Sequence, residues 1–224
     1  MGAPGIILAA PASGAGKTTV TLGVLAALRR RGVAVGAFKV GPDYIDPAFH
    51  ARAAGGRPCR NLDSWAMRLE TLAGLADEVA AGVELVVGEG VMGLFDGARG
   101  GPGGSGDGST ADLASLLDLR VVLVVDASGM GASAAALVDG FIRHRSDVEV
   151  VGVIFNRVGS PAHAEILRAA CDDRFPHPVL GCLPRDPGLA LPSRHLGLVQ
   201  AAEVPALDAL IARAADLVEA HVDL

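Results

Sequence analysis

Short apolar runs, five to seven residues long and rich in Val, Leu and Ile, alternate along this chain with stretches whose apolar positions recur every three or four residues. The first pattern predicts strands buried on both faces, and the second predicts amphipathic helices. Their interleaving over 224 residues predicts one three-layer α/β domain, a mostly parallel central sheet flanked by helices. Strands are expected at Gly5 to Ala10, Val33 to Val40, residues 57 to 63, Val83 to Val87, Val121 to Val125, Val148 to Phe155 and Val179 to Leu183. Helical spacing follows through Val20, Val24, Leu25 and Leu28, from Met67 to Ala81, from Ser109 or Thr110, and through Ala134, Leu137, Val138 and Phe141. A last amphipathic helix is expected at about residues 203 to 220.

The first strand and first helix are joined by Ala9-Ala10-Pro11-Ala12-Ser13-Gly14-Ala15-Gly16-Lys17-Thr18-Thr19. A glycine-rich turn opening a helix points successive N–H groups into one concavity at the positive helix end, which suits phosphate oxygens. Lys17 then reaches the β/γ-phosphates of a nucleotide, and Thr18 offers a hydroxyl to Mg²⁺. Pro11 stands where the motif has its first glycine and donates no N–H, so the cradle falls to Ser13, Gly14, Ala15, Gly16, Lys17, Thr18 and Thr19.

Other candidates sit where strands end, the edge at which open parallel sheets bind ligands. The second strand delivers Lys39, then Asp43 and Asp46 on a proline-flanked turn. Lys39 is costly to bury idle and can meet a phosphate or a substrate carboxylate. Asp43 is read as functional, whereas Asp46 can equally cap the helix that starts near Pro47. Glu89, flanked by glycines at the tip of a central strand, is placed as a second Mg²⁺ ligand, direct or through water. Asp96 lies on the same glycine-rich loop and can face the same cavity.

Ala98 to Gly108 is a low-complexity stretch, a lid or a simple loop tip. Ser109 and Thr110 follow as a helix cap or as an anion-binding helix start. Asp126 reads as an Asx turn. Asn156-Arg157 closes the next strand, with the Asn156 amide suited to a purine edge or to an ordinary turn. Arg185, Arg194 and His195 concentrate cationic donors suited to carboxylates, or form surface ion pairs.

Composition narrows the partners. A formal net charge of −6 with one Trp and one Tyr argues against a nucleic-acid surface of basic stripes and stacking aromatics. The apolar runs are too short to span a bilayer, and the first leads straight into the glycine-rich turn, so neither membrane segment nor secretory signal is expected. Cys59, Cys171 and Cys182 show no metal spacing and suit a reducing cytoplasm.

The stretches APASGAGKTT, KVGPDYIDPAFH, GEGVMGLFDGA, GVIFNRVGS and LPSRHLGLVQAAE, in this order, resemble the corrin a,c-diamide synthases of cobalamin biosynthesis, the hydrogenobyrinic or cobyrinic acid family. That resemblance implies a dethiobiotin-synthetase-like P-loop NTPase fold and an ATP- and Mg²⁺-dependent ligase. The ligase amidates the a and c acetates of a corrin with ammonia from a C-terminal glutaminase domain. None of the three cysteines sits in a strand-to-helix elbow between glycines, so the sequence is expected to be the synthetase domain alone.

The resemblance gives Mg²⁺ contacts to Thr18, Asp43 or Asp46, and Glu89, and lets Asp43, Asp46, Glu89 and Asp96 orient the acceptor carboxylate or take a proton from ammonia. Asn156 and Arg157 join the nucleotide site, and Lys39, Tyr44, Ser109, Thr110, Arg185, Arg194 and His195 hold the corrin. A homodimer is one assembly it allows. Rival readings are a nickel-tetrapyrrole a,c-diamide synthase, a dethiobiotin-synthetase-like enzyme and a non-catalytic corrin-binding module. A partitioning ATPase is disfavoured, because Ala12 stands where its second lysine belongs.

Overall fold

The computed structural model describes residues 2–98, 106–172, 178–189 and 207–224. In chain order the elements are β1 (Gly5–Ala9), α1 (Lys17–Arg30), β2 (Val35–Val40), α2 (Asp46–Ala53), β3 (Cys59–Leu62), α3 (Leu69–Ala80) and β4 (Leu85–Glu89). They continue with α4 (Thr110–Leu117), β5 (Arg120–Asp126), α5 (Ser133–His144), β6 (Val150–Val158), α6 (Pro161–Asp172), β7 (Val179–Pro184) and α7 (Leu207–His221). The seven strands form one sheet in the order β3-β2-β4-β1-β5-β6-β7, every neighbouring pair parallel.

Successive strand side chains point to opposite faces, so each apolar run feeds two cores. Leu8, Val87, Val122 and Ile154 pack with α1, α2 and α7 on one face. Ile7, Val86, Val121 and Phe155 pack with α3, α4, α5 and α6 on the other. Of α1, every residue from Val20 to Leu28 is buried, because α7 covers the side that the sheet leaves open. The helix start is therefore fixed from both sides.

The register brings the chemistry-bearing residues together. Lys39 pairs with Glu89 across β2 and β4, and with Asn61 across β2 and β3. Gly88 carries no side chain because the Phe38 ring fills that space; a Cβ there would lie 2.1 Å from a ring carbon. The sixth strand runs past its expected end at Phe155 to Val158, with its register to β7 shifting between Phe155 and Val158. Arg157 stands in this irregularity with a left-handed φ of 58°. No helix among the described residues is long and apolar enough to cross a membrane.

Candidate functional site

The turn after β1 carries no side-chain cap for α1: the capping position is Gly16, at φ 92°, and no acid occupies the first helical turn. The first N–H groups of α1 thus lack intrahelical partners, and the helix start is electropositive. Ala12, Ser13 and Gly14 are exposed, so this concavity opens to solvent. Lys17 is 7% exposed, and its Nζ donates to the Met92 carbonyl at 2.5 Å and more weakly to that of Ala12 at 3.5 Å. Burial pushes its pKa down, opposed by Glu89.

Three elements converge on Glu89, at the end of β4 and 1% exposed. Thr18 of α1 donates its hydroxyl to Oε1 at 2.7 Å. Lys39 of β2 donates to the same oxygen at 2.8 Å and contacts Asp46 Oδ2 of α2 at 2.7 Å. His50, also on α2, places Nε2 2.6 Å from Oε2. Neither of those two atoms has an aligned hydrogen bond, so the close contact offsets burial through charge. Burial favours the neutral acid, but Lys39 and then His50 outweigh it and hold the Glu89 carboxyl down at about 2. Burial and the Glu89 charge raise Asp46, and Lys39 opposes them. Burial lowers Lys39, but Glu89 and Asp46 overcome this and raise it above its ordinary value.

Several residues have duties other than those expected. Asp43 Oδ1 accepts from the N–H groups of Ile45 at 2.8 Å and Asp46 at 3.0 Å. Capping the start of α2 is thus the work of Asp43, and Asp46 is the acid turned to the shared cluster. Lys39, expected to meet substrate, is 4% exposed and held by Asp46, Glu89 and the Gly90 carbonyl. Asp96 is exposed and accepts from the Gly93 N–H at 2.8 Å, closing the turn that presents Met92 to Lys17.

Ser109 and Thr110 are turned into the protein. Ser109 caps α4 by accepting from the Asp112 N–H at 3.0 Å, Thr110 bonds the Val91 backbone through its hydroxyl, and both residues are buried. Tyr44, in contrast, is 91% exposed beyond β2.

Asn156 spends its amide on the protein: Nδ2 donates to the Ala15 carbonyl and Oδ1 accepts from the Arg157 N–H, each at 2.9 Å. It therefore braces the glycine-rich turn from the strand end. Beside it opens a cleft of about 340 Å³, lined by Gly16, Thr19, Asn156, Arg157, Pro184 and Arg185 among others. Arg157 is ion-paired with Asp126, whose Oδ1 also closes the expected Asx turn with the Ser128 N–H. Arg185 borders the same cleft beside Gly16. Arg194 and His195 lie outside the described residues.

The sequence reading missed His50. Its signal was present, since Asp46 and His50 are four apart on α2 and so share a face. Among the described residues no group of three or more His, Cys, Asp or Glu is arranged to hold a metal. Mg²⁺ does not need such a cage, because it keeps waters and binds largely through phosphates. The hard oxygens of Thr18 and Glu89 fit it, 2.7 Å apart beside the phosphate-binding turn. Asp46 fits less well, since the Lys39 ammonium already bridges it to Glu89.

An uncapped glycine-rich turn between a central parallel strand and its helix, with lysine and threonine at the helix start and a carboxylate on the neighbouring strand tip, defines a P-loop nucleotide-binding domain. The family model described as CobQ/CobB/MinD/ParA nucleotide binding domain matches residues 6–199, and the chain belongs to that family. A hydrogenobyrinate a,c-diamide synthase of Brucella ovis is 57% identical over 221 residues, 98% of this chain and 49% of that protein. One of Rhodobacter capsulatus is 55% identical over 223 residues, 100% of this chain and 50% of that protein. The chain spans about half the length of the curated relatives it matches.

Solved structures share the fold. The septum site-determining protein MinD of Pyrococcus horikoshii, complexed with Mg-ADP, aligns with a TM-score of 0.51 and 18% identity over 84% of this chain and 83% of that one. The hydrogenase maturation factor HypB of Archaeoglobus fulgidus aligns with a TM-score of 0.50 and 17% identity over 83% and 82% of the two chains.

Proposed function

We propose that this chain is the synthetase half of a hydrogenobyrinate a,c-diamide synthase, using ATP to activate the a and c acetate carboxylates of the corrin for amidation by ammonia. The observation that carries the reading is the Thr18–Glu89 contact of 2.7 Å, which joins the phosphate-binding turn to the tip of β4, next to the β2 tip beyond which Tyr44 lies open. The names borne by relatives at 55–57% identity supply the substrate.

A carboxylate does not react with ammonia at neutral pH, because oxide is too poor a leaving group. Attack of the carboxylate on the γ-phosphorus releases ADP and gives an acyl phosphate; ammonia then attacks the carbonyl carbon and expels phosphate. The first step brings two anions together, so its cost is chiefly electrostatic. Lys17 and the free N–H groups at the start of α1 hold the triphosphate and offset its charge. Thr18 and Glu89 would hold a Mg²⁺ ion arriving with the nucleotide, which would supply further positive charge against the phosphates.

Glu89 stays ionised because Lys39 and His50 face it. Asp46, raised by burial and by Glu89, is the group poised to take the proton that ammonia loses on attack. The cleft beside Gly16, bordered by Asn156, Arg157 and Arg185, accepts the base and ribose. Ammonia comes from a glutaminase domain.

The test supplies the chain with Mg²⁺, ATP, ammonium and hydrogenobyrinate, and follows ADP release and the mass change of the corrin. ADP formed only with the corrin present, together with hydroxyl-to-amino exchange at two carboxyls, supports the reading. ADP release indifferent to the corrin, with no amide formed, overturns it.

A further inference from the structure

We infer that Trp65 and Arg68 form the ledge on which the tetrapyrrole ring lands, the indole lying against the ring face and the guanidinium taking one of its carboxylates. The inference rests on the reading proposed above and adds two residues to it.

Trp65 is the sole tryptophan of the chain, it is 39% exposed, and it follows the tip of β3. A part-exposed indole keeps a large apolar face and an N–H available to a ligand, and it becomes informative where other open apolar residues adjoin it. Its placement is not slack. Asp63 Oδ1 accepts from the N–H groups of Trp65 at 2.9 Å and Ala66 at 3.3 Å. Ser64, 0% exposed, donates its hydroxyl to Asp112 of α4 at 2.9 Å, accepts from the Gly108 N–H at 3.1 Å, and accepts from the Gly106 N–H through its carbonyl at 2.8 Å. A buried polar scaffold therefore fixes the backbone that presents an open indole.

That scaffold is continuous with the phosphate-binding turn. Thr110, at the start of α4, bonds the Val91 backbone, and the next carbonyl, that of Met92, receives Lys17. In the sheet order β3-β2-β4, Trp65, Tyr44 and Met92 follow three adjacent strand tips, and they are 39%, 91% and 46% exposed. Three open apolar residues along one edge match a broad flat ring better than a small carboxylic acid. Arg68, three residues after Trp65 at the start of α3, is exposed, and its guanidinium has no acid partner among the described residues. A cation three residues from an open indole complements a conjugated macrocycle that carries several carboxylates.

The experiment compares the chain with Trp65→Ala, Trp65→Phe and Arg68→Gln, checking each fold by circular dichroism. Hydrogenobyrinate binding is measured without nucleotide by calorimetry, and KM is measured separately for the corrin and for ATP. Expected are corrin affinities about ten-fold weaker for Trp65→Ala and Arg68→Gln, the equivalent of about 1.4 kcal/mol. Trp65→Phe should stay near the unaltered chain, and KM for ATP should be unmoved throughout. In the unaltered chain the corrin should shield the single indole from acrylamide quenching. Corrin affinity unchanged in Trp65→Ala overturns the ledge while leaving the proposed function standing. An unaltered chain that neither binds nor amidates hydrogenobyrinate overturns both.

Discussion

Asp46 and His50 stand one helical turn apart on α2 and meet the same carboxylate from two sides: Asp46 through the shared Lys39 ammonium, His50 directly at 2.6 Å from Glu89. One short helix thereby decides how the tip of β4 faces the phosphate-binding turn. Its start is set in turn by Asp43, whose carboxylate caps it and whose carbonyl accepts from Asn61 at 2.6 Å.

Removing His50 should therefore act through Glu89. His50→Leu leaves a fully buried carboxylate oxygen uncompensated, a loss of about 3 to 5 kcal/mol. His50→Gln, which can offer an N–H but no charge, should recover only part of it. Denaturant unfolding of the two variants measures the difference, and equal stability of Leu and unaltered chains refutes the contact's importance.

Lys17→Ala should abolish corrin-dependent ADP formation without changing the melting temperature by more than a few degrees, because the ammonium binds only two carbonyls of the protein. Unchanged turnover would remove the phosphate-binding turn from the reaction.

Glu89→Gln should slow ADP formation about 10- to 100-fold and raise the Mg²⁺ concentration needed for half-maximal rate. The amide keeps an oxygen for Thr18 but removes the charge that Lys39 and His50 face. A normal rate with a normal Mg²⁺ dependence would contradict the assignment.

Acid should destabilise the fold through the same residue. Glu89 is held at about 2 in the folded chain against an ordinary value of 4.5, so the unfolded chain takes up the proton first. Its stabilising contribution is complete above about pH 4.5 and fades as pH falls toward 2. Asp46 has the opposite sign, its carboxyl being raised by burial and by Glu89. Unfolding free energies measured across this range should fall less steeply in Glu89→Gln and more steeply in Asp46→Asn.

Asn156→Ala should weaken nucleotide binding about ten-fold, by freeing the Ala15 carbonyl and the turn it braces. Gly16→Ala should be worse, since a Cβ at φ 92° would also sit 2.2 Å from the Asn156 amide nitrogen. Titration with a fluorescent ATP analogue checks both.

Most of the fold was legible because buried parallel strands write themselves as apolar runs, and all seven expected strands are present. The helix α6 was harder to see, because its fully buried stripe is just Leu167 and Cys171, too narrow to stand out. The glycine-rich turn was legible because its chemistry is local. The duties of Asp43 and Asp46 were not, because two acids three apart look alike until the helix start is known and Lys39 is seen beside one of them. Lys39 itself was rightly judged costly to bury idle, but its partners come from β4 and α2, which no local pattern reports. Ser109 and Thr110 were open between cap and anion dock; Ser109 caps α4 and Thr110 holds the Val91 backbone, contacts that depend on a distant loop.

Lys39 and His50 give this acidic strand tip its own internal counter-ions, so the architecture is complete before any divalent ion arrives. Chelation should then silence turnover while leaving the melting curve where it was, and the protein can be purified, stored and titrated with metal from a folded starting point.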